Sequence, residues 1–77
     1  MSQTKFPRDP GMILFFITTG ADIAIDATQY DTEEIIRFAE VAEINKRSIT
    51  IRNIVDKTVD ELERIIKKAP GRIVLEF

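Results

Sequence analysis

Residues 48–53 read "SITIRN". Ile49 and Ile51 alternate with Ser48, Thr50 and Arg52, the period-two spacing of a strand with one buried face. The same spacing recurs in "DIAID" at 22–26 and in "RIVLEF" at 72–77. In each case apolar residues occupy one face: Ile23 and Ile25, then Ile49 and Ile51, then Ile73, Leu75 and Phe77. Small or charged residues occupy most of the other. The closing charge changes sign along the chain, from Asp26 to Arg52 to Glu76. Three half-buried strands of one design imply one sheet with three equivalent positions.

The segments between them carry helix signals. In "YDTEEIIRFAEVAEIN" at 30–45, Asp31 and Glu34 have the spacing of a capping box, and Tyr30 and Ile35 fall at staple positions. Ile35, Phe38, Ala39 and Ala42 form a stripe at helical spacing. Asn45 fits the left-handed residue that ends a helix. In "TVDELERIIKKA" at 58–69, Thr58 and Glu61 make a second box, and Leu62, Ile65, Ile66 and Ala69 a second stripe. Lys67 and Lys68 suit the negative end of that helix, and Pro70 and Gly71 stop it. Asp31, Glu34, Ile35, Phe38, Ala39 and Ala42 align with Thr58, Glu61, Leu62, Ile65, Ile66 and Ala69 at one constant offset. The chain therefore contains an internal repeat.

Upstream, "MILFFI" at 12–17 is a short apolar run between Pro-Gly and Thr-Thr-Gly. It reads as a strand forming a hairpin with 22–26 across a turn at Gly20. The polar stretch 1–11, broken by Pro7, Pro10 and Gly11, reads as a flexible leader. The expected fold is α/β and two-layered, in the order β-β-α-β-α-β. An N-terminal hairpin leads into a right-handed parallel β-α-β-α-β with both helices on one sheet face. The domain is expected to span 12–77, with tandem α–β units at 31–53 and 58–77. In layout it resembles the leucine-rich and related α/β solenoids, although the asparagine-containing signature of leucine-rich repeats is missing. In equivalent register Asp26, Arg52 and Glu76 form a charge ladder on the open sheet face.

The 77 residues, 44% hydrophobic and 31% charged, give one globular domain with a small core. Cysteine and histidine are both absent, which removes disulfides, thiolate or imidazole metal ligands, and the commonest nucleophile and acid–base groups. No cofactor is implied. Asp22, Asp26 and Asp31 do not follow calcium-loop spacing. Neither a phosphate-binding loop nor a nucleophile elbow is present. No apolar run approaches the roughly 20 residues that span a bilayer. The expected setting is a bacterial cytoplasm.

Three functional classes remain. The leading one is a non-catalytic protein–protein interaction domain, expected to be a homo-oligomer, because a small domain without disulfides or metal gains stability from a partner. Its contacts would be the apolar N-terminal segment (Met12, Leu14, Phe16), the apolar residues outside the helix stripe (Ile36, Val41, Ile44), the open sheet face, or the last strand as a sheet edge. The second is a small-ligand or catalytic site beyond the carboxyl ends of the strands, built from Asp26, Tyr30, Asp31, Asn53, Asp56 and Lys57. The third is nucleic-acid binding through the basic stretch 46–57, which holds Lys46, Arg47, Arg52 and Lys57. Against it stand the net charge of −2 and the absence of interleaved aromatics.

Overall fold

The computed structural model describes residues 9–77. They form three α-helices alternating with three strands: α1 (Pro10–Thr18), β1 (Ile23–Asp26), α2 (Thr32–Asn45), β2 (Ile49–Arg52), α3 (Val59–Lys68) and β3 (Ile73–Leu75). Single 3₁₀ turns, Ala27–Gln29 and Ile54–Asp56, follow β1 and β2. The sheet has the order β1-β2-β3 and is parallel throughout. Ile23, Ile49 and Ile73 lie side by side, as do Ala24, Thr50 and Val74, and then Ile25, Ile51 and Leu75. The helices pack in chain order, α1 on α2 and α2 on α3.

The expected N-terminal hairpin is not formed, because residues 12–17 belong to α1. Its start is chemical. Asp9 accepts a hydrogen bond from the Gly11 N–H at 3.0 Å, and Pro10 occupies the first turn, where its missing N–H costs nothing. Its end is a Schellman motif. Ala21 N–H bonds Phe16 C=O at 3.0 Å and Gly20 N–H bonds Ile17 C=O at 3.1 Å, with Gly20 at φ +112°. A run that is apolar on every side carries neither a helical nor a strand period, and here the caps and the packing of Ile13 and Ile17 decide it. Asp9, Pro10 and Gly11, placed in the expected leader, instead start this helix. Residues 1–8 of that leader lie outside the described residues.

The two later helices follow their capping signals. In α2 the Glu34 N–H donates to Asp31 at 2.9 Å and the Asp31 N–H to Glu34 at 3.1 Å. In α3, Thr58 and Glu61 exchange the equivalent bonds at 3.1 and 2.8 Å. The left-handed residue that closes α2 is Lys46, at φ 58°, rather than Asn45. Asn45 instead donates its side-chain amide to Val41 C=O at 2.8 Å.

The core forms where the isoleucine face of the sheet meets the helix stripes. Ile17, Ile35, Phe38, Ile49, Ile51, Ile54 and Ile65 are fully buried. Tyr30 is also buried, and its ring meets Phe38 edge-on at 5.1 Å. The opposite sheet face is open: Ala24, Arg52 and Val74 are exposed. Asp26 pairs with Arg52 in register, and Arg52 Nε lies 3.0 Å from Glu76 Oε1.

Candidate functional site

The two parts of the chain that follow β1 and β2 stack at the carboxyl end of the sheet. This is where ligands collect in open parallel sheets, and where six ligand-binding residues were expected. Most of them have structural work there. Asp26 accepts from the N–H and hydroxyl of Thr28 at 2.9 and 2.6 Å, fixing the first 3₁₀ turn. Asp31 is the α2 cap. Tyr30 stands with its ring in the core. Asn53 takes the left-handed conformation, φ 60°, an extra residue between β2 and its 3₁₀ turn that has no counterpart after β1. Asp56 is exposed.

Lys57 joins the two loops. Its Nζ lies 3.3 Å from both Tyr30 C=O and Thr32 Oγ1. Thr32, a buried polar side chain, donates its hydroxyl to Glu61 Oε2 at 3.0 Å. Glu61 thus serves its own helix as a cap and reaches α2 as well. The pair Thr32 and Glu61 was not anticipated from sequence. The capping box was visible, but a link from Glu61 across to the other helix depends on α2 and α3 lying side by side. The Thr58 N–H, followed by the Thr32 hydroxyl, holds the Glu61 carboxyl below the usual carboxylate range. Asp22 is likewise lowered, chiefly by the Ser48 N–H that bonds it at 2.9 Å across β1 and β2.

Both groups have a folded-state pKa below the unfolded one. Their stabilising effect is therefore complete above the ordinary carboxylate range and is lost as pH falls through the lowered values. Stability should drop below about pH 4.5. Glu61→Gln keeps an acceptor for the cap but carries no titrating charge, and should flatten that acid limb in urea melts run at stepped pH. An unchanged acid limb would contradict the assignment.

The basic stretch 46–57 does not present a row of unpaired cations. Arg47 donates to Gly20 C=O at 2.9 Å and to Lys46 C=O at 3.0 Å, Arg52 bonds Glu76, and Lys57 bonds the loop of α2. An open groove between α2 and α3, with Arg37 and Ile36 in its lining, is crossed by ion pairs. Arg64 lies 2.6 Å from Glu33, and Lys68 lies 3.4 Å from Glu40. Among the described residues no group of acidic side chains is placed to hold a metal ion, and no helix is long and apolar enough to cross a membrane.

The six residues expected at an interface separate into different environments. Ile36 is buried, because α2 is flanked by helices on both sides. Leu14 and Val41 pack partly against the core, and Phe16 is half-buried. Met12 and Ile44 are exposed. Helical winding separates Leu14 from Met12 and Phe16, which an extended strand would have aligned.

Phe15 on α1 and Val55 on the second 3₁₀ turn are exposed apolar residues outside those six, and others lie on the last unit. Val59 is 80% exposed, Ile66 37% and Phe77 91%, and Leu62, Ile73 and Leu75 are half-buried. Ile66, counted with the core stripe of α3, is only partly covered. The side of α3 that meets α2 is marked by Glu61, Arg64 and Lys68, each bonded to that helix. At 3.6 residues per turn, Val59 and Ile66 lie on the opposite flank, with Leu62 between that flank and the sheet. Comparison with protein-family models, curated proteins and solved structures finds no match.

Proposed function

We propose that this chain is a non-catalytic protein–protein interaction module that works by self-association. One observation carries the reading: the terminal α3–β3 unit leaves its outer flank apolar and uncovered, from Val59 and Ile66 on the helix to Phe77 beside the strand. An apolar surface at the end of a stacked fold is what a further unit would bury.

The architecture suits this role. Three α–β units follow one another, and right-handed crossovers would carry every helix to the isoleucine face, giving a short solenoid-like stack. In such a stack each unit buries its apolar side against the next, and among the described residues no further unit packs on the outer side of α3 and β3. Of the polar groups at the loop end that a catalytic reading would recruit, Asp26, Asp31 and Lys57 are engaged in capping and in tying loops together.

Sedimentation equilibrium over a dilution series tests the proposal. The expected result is a mass above that of the monomer at high concentration, falling toward it on dilution. The double variant Val59→Asp, Ile66→Asp should remain monomeric and folded, since neither side chain is in the buried core. A wild-type chain that stays monomeric at its highest soluble concentration would refute self-association.

A further inference from the structure

We infer that a second copy of this chain pairs with β3 in the antiparallel sense, in the register that sets Val74 opposite Val74 of the other copy. Two three-stranded sheets then join into one of six. The inference rests on the self-association proposed above and specifies its geometry.

The backbone selects the class of register. Among the described residues β3 is bonded on one side only, to β2. Ile49 N–H bonds Arg72 C=O at 2.8 Å, and Glu76 N–H bonds Ile51 C=O at 2.9 Å. Residues 72, 74 and 76 therefore turn their backbone groups toward β2, and Ile73 and Leu75 turn theirs to the free edge. With Val74 on a twofold axis, Ile73 of each copy faces Leu75 of the other. Both outward pairs can then exchange N–H and C=O bonds, with Val74 forming the closer, non-bonded pair between them.

The charges select this register within the class. It places Arg72 opposite Glu76 of the second copy, and the symmetry repeats the pair. Opposite charges facing one another across antiparallel strands stabilise the pairing. Arg72 uses its Nε for Glu43, and Glu76 uses Oε1 for Arg52, so guanidinium N–H groups and a carboxylate oxygen remain for the new contact.

The other sheet edge lacks this property. A twofold antiparallel pairing of β1 about Ala24, whose backbone groups face that edge, would set Asp22 against Asp26 of a second copy, twice, like charge against like. Head-to-tail addition of β1 to β3 would put Arg72 beside Asp22 but Glu76 beside Asp26, and would grow an open filament. Of the three arrangements, only β3 with β3 is complementary in every facing charge. It also brings the exposed flank of α3, with Val59 and Ile66, toward its counterpart across the axis.

Two measurements test the geometry separately from self-association. The chain has no cysteine, so Val74→Cys introduces a single thiol whose counterpart lies within disulfide reach in this register. On mild oxidation it should form a covalent dimer, and Val55→Cys, at an exposed position on the 3₁₀ turn after β2, should not. Arg72→Glu and Glu76→Arg should each weaken self-association about tenfold, since each turns two attractive pairs repulsive. Mixed in equal amounts, they restore both pairs and should form a heterodimer of near wild-type affinity. A loss caused only by broken contacts with Glu43 or Arg52 would not be rescued by mixing. If sedimentation shows self-association but Val74→Cys does not cross-link, or mixing does not rescue, the β3 register is wrong and self-association stands. Filaments in place of dimers would overturn the register in favour of head-to-tail stacking. A monomer at all concentrations would remove both.

Discussion

Phe38→Ala is expected to destabilise the domain by about 3–5 kcal/mol, the usual cost of removing a fully buried phenyl ring. Phe38 has no solvent exposure and takes the edge contact of Tyr30 at 5.1 Å. It sits on the central helix, against which both other helices pack. Its loss would therefore leave a cavity where all units meet, with no flexible edge to collapse into it. A domain this small has little stability in reserve. The variant should show a broad, early urea transition, or none from a folded baseline. Phe38→Leu retains most of the apolar volume and should recover about half the loss. A cost for Phe38→Ala below about 1 kcal/mol, well short of the usual range, would contradict the packing described.

The second large effect distinguishes a helix from a strand at the N-terminus. In α1, Ile17 is fully buried, whereas Phe15 is 56% exposed. Ile17→Ala should cost about 2–5 kcal/mol, and Phe15→Ala should stay within about 0.5 kcal/mol. In an extended strand the two side chains would share a face and the costs would be comparable. Urea melts of the two variants under one buffer give the comparison directly. Equal costs would contradict the helix.

These positions also show what was legible in the residues and what was not. The β strands are readable because Ile23, Ile25, Ile49, Ile51, Ile73 and Leu75 alternate with residues that, Val74 apart, are polar or small, and a one-residue slip would turn that whole set to solvent. Their parallel register follows, and with it the Asp26–Arg52–Glu76 ladder. Capping boxes gave the starts of α2 and α3 because they are local chemistry, complete within four residues. The segment 12–17 lacks such a period. Its caps, Asp9 and Gly20, lie outside the apolar run, in stretches whose prolines and glycines suit a leader and a turn equally well.

At the loop end, Asp26, Tyr30, Asp31 and Lys57 do come together, but their hydrogen bonds cap helices, fix turns and tie one loop to the other. Residue type does not distinguish a cap from a ligand group; a partner at 2.9 Å does. The interface residues were harder still. Ile36 is covered because α2 is the middle helix, and Ile66 is uncovered because α3 is the last. Position in the stack, which depends on the whole fold, sets both. The changing sign of the closing charge in the three strands was visible from the start. Within one chain it fixes register. The contrast between β1, with Asp22 and Asp26, and β3, with Arg72 and Glu76, extends it to the choice of edge for a second copy.

Amide hydrogen exchange at Ile73 and Leu75 tests that central claim most directly. Their N–H groups face the free edge of β3, so an isolated chain leaves them to solvent, while pairing with a second copy protects them. Followed by NMR at high and low protein concentration, these two amides should exchange slowly in the concentrated sample and quickly on dilution, while the core amide of Ile51 stays protected in both. Fast exchange at Ile73 and Leu75 in a sample that sedimentation shows to be associated would contradict the account.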